Sequence, residues 1–163
     1  MSRTGLRLSV ALGLLAFAVD RLHKYVQVDV MAWPPGYFRE VLPFFDVGLV
    51  FNTGISYGLL GTLPLWAIAI VVAIAMVALV IWWVRADTAL VRAGLALALG
   101  GALSNAVDRV IYGAVADFFH FHIGLGGIFD FVFNLADASI SLGVVLLVLD
   151  FLGIGRARVP KNA

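Results

Sequence analysis

The chain has 163 residues, 63% of them hydrophobic and only 13% charged, with a mean hydropathy of +1.04. So apolar a composition predicts one integral membrane domain, residues 1–163, rather than a soluble protein. A net charge of +1 offers no basic stripe for phosphates and argues against nucleic acid as a partner, while the absence of cysteine excludes thiol nucleophiles, disulfides and thiolate metal sites.

A helix needs about 20 apolar residues to cross the hydrocarbon core, and four segments approach or meet that length. The first, about 6–28, begins LRLSVALGLLAFAV and turns polar at DRLHKYVQV. Its apolar core runs straight into the small-x-small triplet Ala16-Phe17-Ala18 with no polar spacer, which favours a retained span over a cleavable signal peptide. Residues 29–60 form an outer loop with a turn at Pro34, Pro35 and Gly36, followed by VGLVFNTGISYGLLG, whose β-branched and aromatic residues interrupted by glycine predict short strands. The second span, 63–84, carries no charge and has Trp66, Trp82 and Trp83 near its ends as interfacial anchors. The third, about 88–107, meets Asp108 and Arg109 at its end. A second outer segment, 108–130, mixes aromatic residues, glycine and two histidines, as an interfacial loop does, and the fourth span covers about 131–153. The expected fold class is therefore an all-α membrane protein with four transmembrane helices, a small extracytoplasmic β-rich segment and an interfacial loop. Arg3 and Arg7, Arg85 and Arg92, and Arg156, Arg158 and Lys161 then share one face of the membrane, which predicts cytoplasmic termini.

Ionisable groups within a span cost on the order of 3 kcal/mol at the centre, so each asks for a function or a partner. Asp20 and Lys24 lie four apart and share a helix face, as an ion pair or as a polar wall for a substrate. Asn105, Asp108 and Arg109 end the third span, where Asp108 is expected to pair with a snorkelling Arg109. Asp150, beside the basic tail, reads as a solvated flank. Asp137 lies about 9 Å into a helix beginning near Phe131, with Asn134 and Ser141 on its face. With a second carboxylate nearby, such a group shares a proton and divides the work of base and acid on a water. Asp108, Asp117, Asp130 and Asp20 are all candidates for that partner, and spacing does not choose among them.

His120-Phe-His122 could set two imidazoles on one strand face and, with Asp117 or Asp130, hold zinc. With no HExxH helix, interfacial packing is the preferred account, and neither metal nor cofactor is expected. Ser56, Ser104, Ser139 and Ser141 lack a GxSxG context, which disfavours a serine hydrolase.

The blocks VDRLHKY (19–25), FNTGISYG (51–58), GGALSNAVDRVIYGAVADFF (100–119) and FNLADASI (133–140) resemble those of the prolipoprotein signal peptidases, signal peptidase II, in the same order. The resemblance implies an intramembrane aspartic endopeptidase of the bacterial inner membrane that cuts a diacylglyceryl-modified prolipoprotein just before its lipidated cysteine. It implies Asp117 and Asp137 as the catalytic pair, with Asp20, Lys24, Asn52, Gly54, Asn105, Asp108, Arg109, Asn134 and Ala136 lining or bracing the site. It further implies a site toward the outer leaflet under a lid formed by 29–60, contact with membrane lipid, action as a monomer, and sensitivity to the cyclic peptide globomycin. Members commonly read FNxGxAFG and GGALGN where this chain reads FNTGISYG and GGALSN, which touches substrate preference rather than activity. Two other classes compete: a small proton- or ion-coupled carrier with Asp20, Lys24 and Asp137 as a relay, and a non-catalytic assembly subunit. A carrier needs polar groups through the depth of the bilayer. Here they gather at one side.

Overall fold

A computed structural model describes residues 3–54, 64–123 and 129–154. Helix α1, Arg3–Tyr25, runs unbroken through the Ala16–Ala18 triplet and passes into a π-helical turn at Val26–Val30. Strands β1, Phe38–Leu42, and β2, Phe45–Asn52, form an antiparallel hairpin. Helix α2, Leu65–Arg85, starts after Pro64, whose fixed φ and missing N–H suit a helix start. Helix α3, Ala89–Tyr112, is capped by Thr88, whose hydroxyl accepts the Val91 N–H at 3.2 Å, and ends at Gly113 with φ 71 in the left-handed region. Strands β3, Val115–Ile123, and β4, Phe129–Phe133, follow, and α4, Leu135–Phe151, closes the fold.

The four strands make one antiparallel sheet in the order β1-β2-β3-β4, although α2 and α3 separate β2 from β3 in sequence. Asp46 faces His120 and Val50 faces Asp117 across β2 and β3, with a register shift between Val47 and Val50. A shift of this kind re-aims side chains locally. Leu49, Ala116 and Phe118 form the sheet's buried core.

Helix α3 packs against α4, α1 and α2. The α3–α4 contact is backbone-close: a Cβ at Gly94 would meet the Gly143 carbonyl oxygen at 2.6 Å, and one at Gly143 would strike that of Gly94. Small residues permit such approach where helices meet in lipid. Outward faces are apolar, with Leu14 62% and Ile74 64% exposed, a surface suited to hydrocarbon and unsuited to water. Two described helices, Trp66–Arg85 and Ala89–Tyr112, are long and apolar enough to cross a membrane.

Several expectations need correction. A four-stranded sheet stands beside the helices, so the architecture is not purely α. The segment expected as an interfacial loop supplies β3 and β4, because alternating residues from 115 and 129 pair across the sheet. The segment expected as the fourth span enters as strand, and its helix begins only at Leu135. Asp137 is therefore in the first turn of α4 rather than well inside a span. Helix α3 extends past residue 107, so Asp108 and Arg109 are helical. Asp150 is 4% exposed, buried rather than solvated. Ser56, with the rest of 55–63, and the basic tail residues Arg156, Arg158 and Lys161 lie outside the described residues.

Gly143→Val drives a branched side chain into α3. A loss of about 1–3 kcal/mol is expected for such overpacking, read as a lower denaturation midpoint in detergent micelles. An unchanged midpoint would contradict the close crossing.

Candidate active site

The site rests on a buried ion cluster where α1 crosses α3. Asp20 and Lys24, four apart on α1, pair at 2.9 Å, and both side chains are fully buried. The Lys24 ammonium also meets Asp108 Oδ2 at 2.6 Å and donates to Asn105 Oδ1 at 2.8 Å, so its three protons have three acceptors. Arg21 Nη1 adds a second cation, 2.6 Å from Asp108 Oδ1. Two carboxylates and two cations thus neutralise one another, which meets the demand that buried charges be paired.

The remaining acceptor positions of the cluster position backbone. Asp20 Oδ1 accepts the Ala136 N–H at 2.8 Å, Asp20 Oδ2 accepts the Ser104 hydroxyl at 2.6 Å, and Asp108 Oδ2 accepts the Ala116 N–H at 3.1 Å. Ala136 immediately precedes Asp137, and Ala116 immediately precedes Asp117. The cluster therefore holds the backbone next to both candidate aspartates.

Amides carry the connection to the carboxylates themselves. Asn105 Nδ2 donates to Asp137 Oδ1 at 2.9 Å. Asn134 Nδ2 donates to Asp117 Oδ1 at 2.6 Å, while the Asn134 backbone N–H donates to Asp137 Oδ2 at 3.2 Å. Asn134 Oδ1 accepts the Asp137 N–H at 2.9 Å, which completes a capping box on α4. One residue thus caps the helix and touches both aspartates. On the other side, Asn52 Nδ2 donates to Asp117 Oδ2 at 3.1 Å, and Asn52 Oδ1 accepts the Gly54 N–H at 2.9 Å. Arg109 fixes that corner from α3, donating to the Gly54 carbonyl at 3.0 Å and the Asn105 carbonyl at 3.3 Å.

Asp117 and Asp137 open onto one cavity of about 270 Å³, whose wall includes Asn52, Asn105, Arg109 and Phe131. Burial pushes the Asp117 carboxyl up to about 7, with repulsion from Asp137 adding to the rise and hydrogen bonds from Asn52 and Asn134 opposing it. An acid poised near neutrality suits proton transfer to and from a reacting group.

The eleven site residues expected from the sequence all lie in this assembly, in two tiers. Asp117, Asp137, Asn52, Asn105 and Arg109 line the cavity, whereas Asp20, Lys24 and Asp108 are absent from its wall and brace it from beneath. The expected Asp108–Arg109 pair gives way to Asp108 with Lys24 and Arg21. Of the open partners for Asp137, Asp20 and Asp108 are engaged in the cluster, and Asp130 sits on β4 against His120. Arg21 and the hydroxyl role of Ser104 escaped sequence reasoning; a cation one residue after Asp20, in a segment otherwise apolar up to that point, was the available signal for Arg21. His120 and His122 do not line this cavity.

Paired, amide-braced carboxylates over one cavity, one on β3 and one on α4, beside helices with apolar outer faces, describe a candidate site of a membrane-bound hydrolase. The signal peptidase (SPase) II family model matches residues 12–153. The lipoprotein signal peptidase of Rhodopseudomonas palustris is 42% identical, over 96% of this chain and 99% of that protein. That of Beijerinckia indica is 46% identical, over 91% of each. A bacterial membrane enzyme structure obtained by the in meso method at 2.3 Å resolution superposes with a TM-score of 0.78 at 26% identity, covering 96% of this chain and 94% of that one. A second, at 1.9 Å, gives 0.73 at 28% identity, covering 89% and 92%. The chain belongs to the signal peptidase II family.

Lys24→Met leaves Asp20 and Asp108 buried with only Arg21 as counter-charge. The expected loss is about 3–5 kcal/mol, as for other broken buried pairs, measured as unfolding free energy in micelles. Stability equal to the parent protein would contradict the cluster's role.

Proposed function

We propose that Asp117 and Asp137 are the catalytic pair with which this signal peptidase II removes the signal peptide from a diacylglyceryl-modified prolipoprotein, cutting before the lipidated cysteine. The observation that carries the assignment is that both carboxylates face one cavity and are joined through Asn134, one by its side chain and the other by its backbone N–H. Asp117 carries the shared proton near neutral pH, in keeping with its raised pKa. Asp137 takes a proton from a water between the two carboxylates, that water attacks the scissile carbonyl, and Asp117 protonates the departing amide nitrogen. Arg109 places positive charge beside the cavity where negative charge develops in the tetrahedral intermediate.

We further propose one integral membrane domain with four spans, cytoplasmic termini, and the aspartates toward the outer leaflet. The basic flanks support this orientation, and so does the gathering of Asp20, Lys24, Asp108, Asp117 and Asp137 in one assembly. The substrate's acyl chains fix its cleavage point at headgroup level, and a carboxylate pair at a helix end meets it there. Lipid contact, action as a monomer and occupation of the same cavity by globomycin belong to the same proposal. The clustered polar groups do not favour a carrier, whose relay has to continue through the bilayer.

Asp117→Asn and Asp137→Asn keep size and remove the shared proton. Each is expected to lower kcat for a lipidated prolipoprotein by about 10²–10⁴-fold, the range for lost general acid or base. Full processing by Asp117→Asn would rule out the assignment. The pH profile supplies a second test. Loss of the Asp117 proton should make the rate fall as pH rises through about 7. Because the Asn52 hydrogen bond lowers that pKa, Asn52→Ala should move the fall to higher pH, and a shift in the opposite direction would contradict the scheme.

A further inference from the structure

Strand β3 alternates its side chains, so His120 and His122 project to one side of the sheet and Asp117 to the other. Directly across from His120 on β2 is Asp46. The Asp46 Oδ2 atom lies 3.1 Å from His120 Nδ1 and 3.1 Å from His122 Nε2. The two imidazoles are 4.7 Å apart between ring centroids, and one donor atom from each of the three residues lies within 4.8 Å of the others. His122 Nε2 is shielded from solvent yet makes no aligned hydrogen bond, despite the nearby carboxylate oxygen. One Asp46 oxygen thus lies within reach of a ring nitrogen from each histidine, and one of those nitrogens is left without a hydrogen bond, a placement that a shared cation would satisfy.

We propose that Asp46, His120 and His122 bind a divalent transition-metal ion of the zinc class, apart from the aspartate pair. Two imidazoles and one carboxylate form a common three-ligand set that leaves a fourth position for water. For metal–ligand bonds of about 2.0–2.1 Å, tetrahedral ligands stand roughly 3.4 Å apart, close to both 3.1 Å edges here. Rotation of the imidazoles closes the third. The far side of His120 supports the assignment independently: its Nε2 lies 2.8 Å from Asp130 Oδ1 on β4. A carboxylate there holds the ring with its proton on Nε2 and frees Nδ1 for the metal, the arrangement that outer carboxylates commonly give to metal-bound histidines. Asp130 is therefore a positioning residue. The ion would clamp β2 to β3 and, through Asp130, engage β4. None of its ligands lines the cavity shared by Asp117 and Asp137, so the ion would stand apart from the aspartate pair.

The test uses the full-length protein in detergent, free of any polyhistidine tag and stripped with a chelator. Zn²⁺ is titrated against a chromophoric competitor, and Co²⁺ binding is followed by its visible d–d absorption. One equivalent of Zn²⁺ is expected, with Co²⁺ bands typical of four-coordinate geometry. His122→Gln and Asp46→Asn should each weaken binding at least about tenfold, and Asp130→Asn by about 10–100-fold with the Co²⁺ spectrum kept. His122→Gln should still process a lipidated prolipoprotein in the presence of chelator, which shows that it folds. Sub-stoichiometric uptake by the parent protein, or equal uptake by His122→Gln and Asp46→Asn, would overturn the proposal and leave Asp46 as a simple hydrogen-bond acceptor for the two rings.

Discussion

The Lys24 ammonium is the constraint on which the rest of the structure depends. A fully buried cation in an apolar protein is intolerable unless each of its protons has an acceptor, and here Asp20, Asp108 and Asn105 supply them. Because those acceptors come from two helices, satisfying one charge fixes how α1 crosses α3. The spare acceptor capacity of Asp20 and Asp108 then takes the N–H groups of Ala136 and Ala116. A requirement of electrostatics thereby becomes a positional restraint on the start of α4 and on β3, each one residue from a candidate catalytic carboxylate.

Rigidity in this region serves chemistry because paired carboxylates act only when their separation and their shared proton are controlled. Asn105 and Asn134 are well suited to the task. An amide both accepts and donates, so Asn105 receives from Lys24 and gives to Asp137. Neither amide adds a charge that would compete for the proton. The glycine-lined contact of α3 with α4 brings Asn105 within reach of Asp137. Packing, ion pairing and proton control are in this sense one network.

The sequence disclosed what is local. Unbroken apolar runs marked the helices, and the four-residue spacing of Asp20 and Lys24 marked an ion pair, whereas Asn134 and Asp137 were expected inside a span and prove to start α4. Contacts joining distant segments were not legible: Lys24 and Asp108 come from different helices, and residues 87 apart pair in Arg21 and Asp108. The same limit hid the sheet. Its β2–β3 pairing spans two helices, so 108–130 resembled an aromatic loop and 131–133 the start of a span, and the meeting of Asp46 with His120 and His122 depends on that pairing. Asp117 was singled out from four candidate partners for Asp137 only through resemblance to a family; hydrogen bonds to Asn52 and Asn134 give it a physical setting. Ser104 proves to donate its hydroxyl to the Asp20 carboxylate, a contact between α3 and α1 that sequence spacing does not reveal.

The central claim is that Asp117 and Asp137 share a proton that is lost near neutral pH. Isotope-edited infrared spectroscopy of the protein in lipid, following the protonated-carboxyl stretch with pH, measures this directly. The account predicts one carboxyl titrating near pH 7, absent in Asp117→Asn and moved to lower pH in Asp137→Asn, where the repulsion that raises it is removed. A titration that is the same in the parent protein and both variants would contradict it.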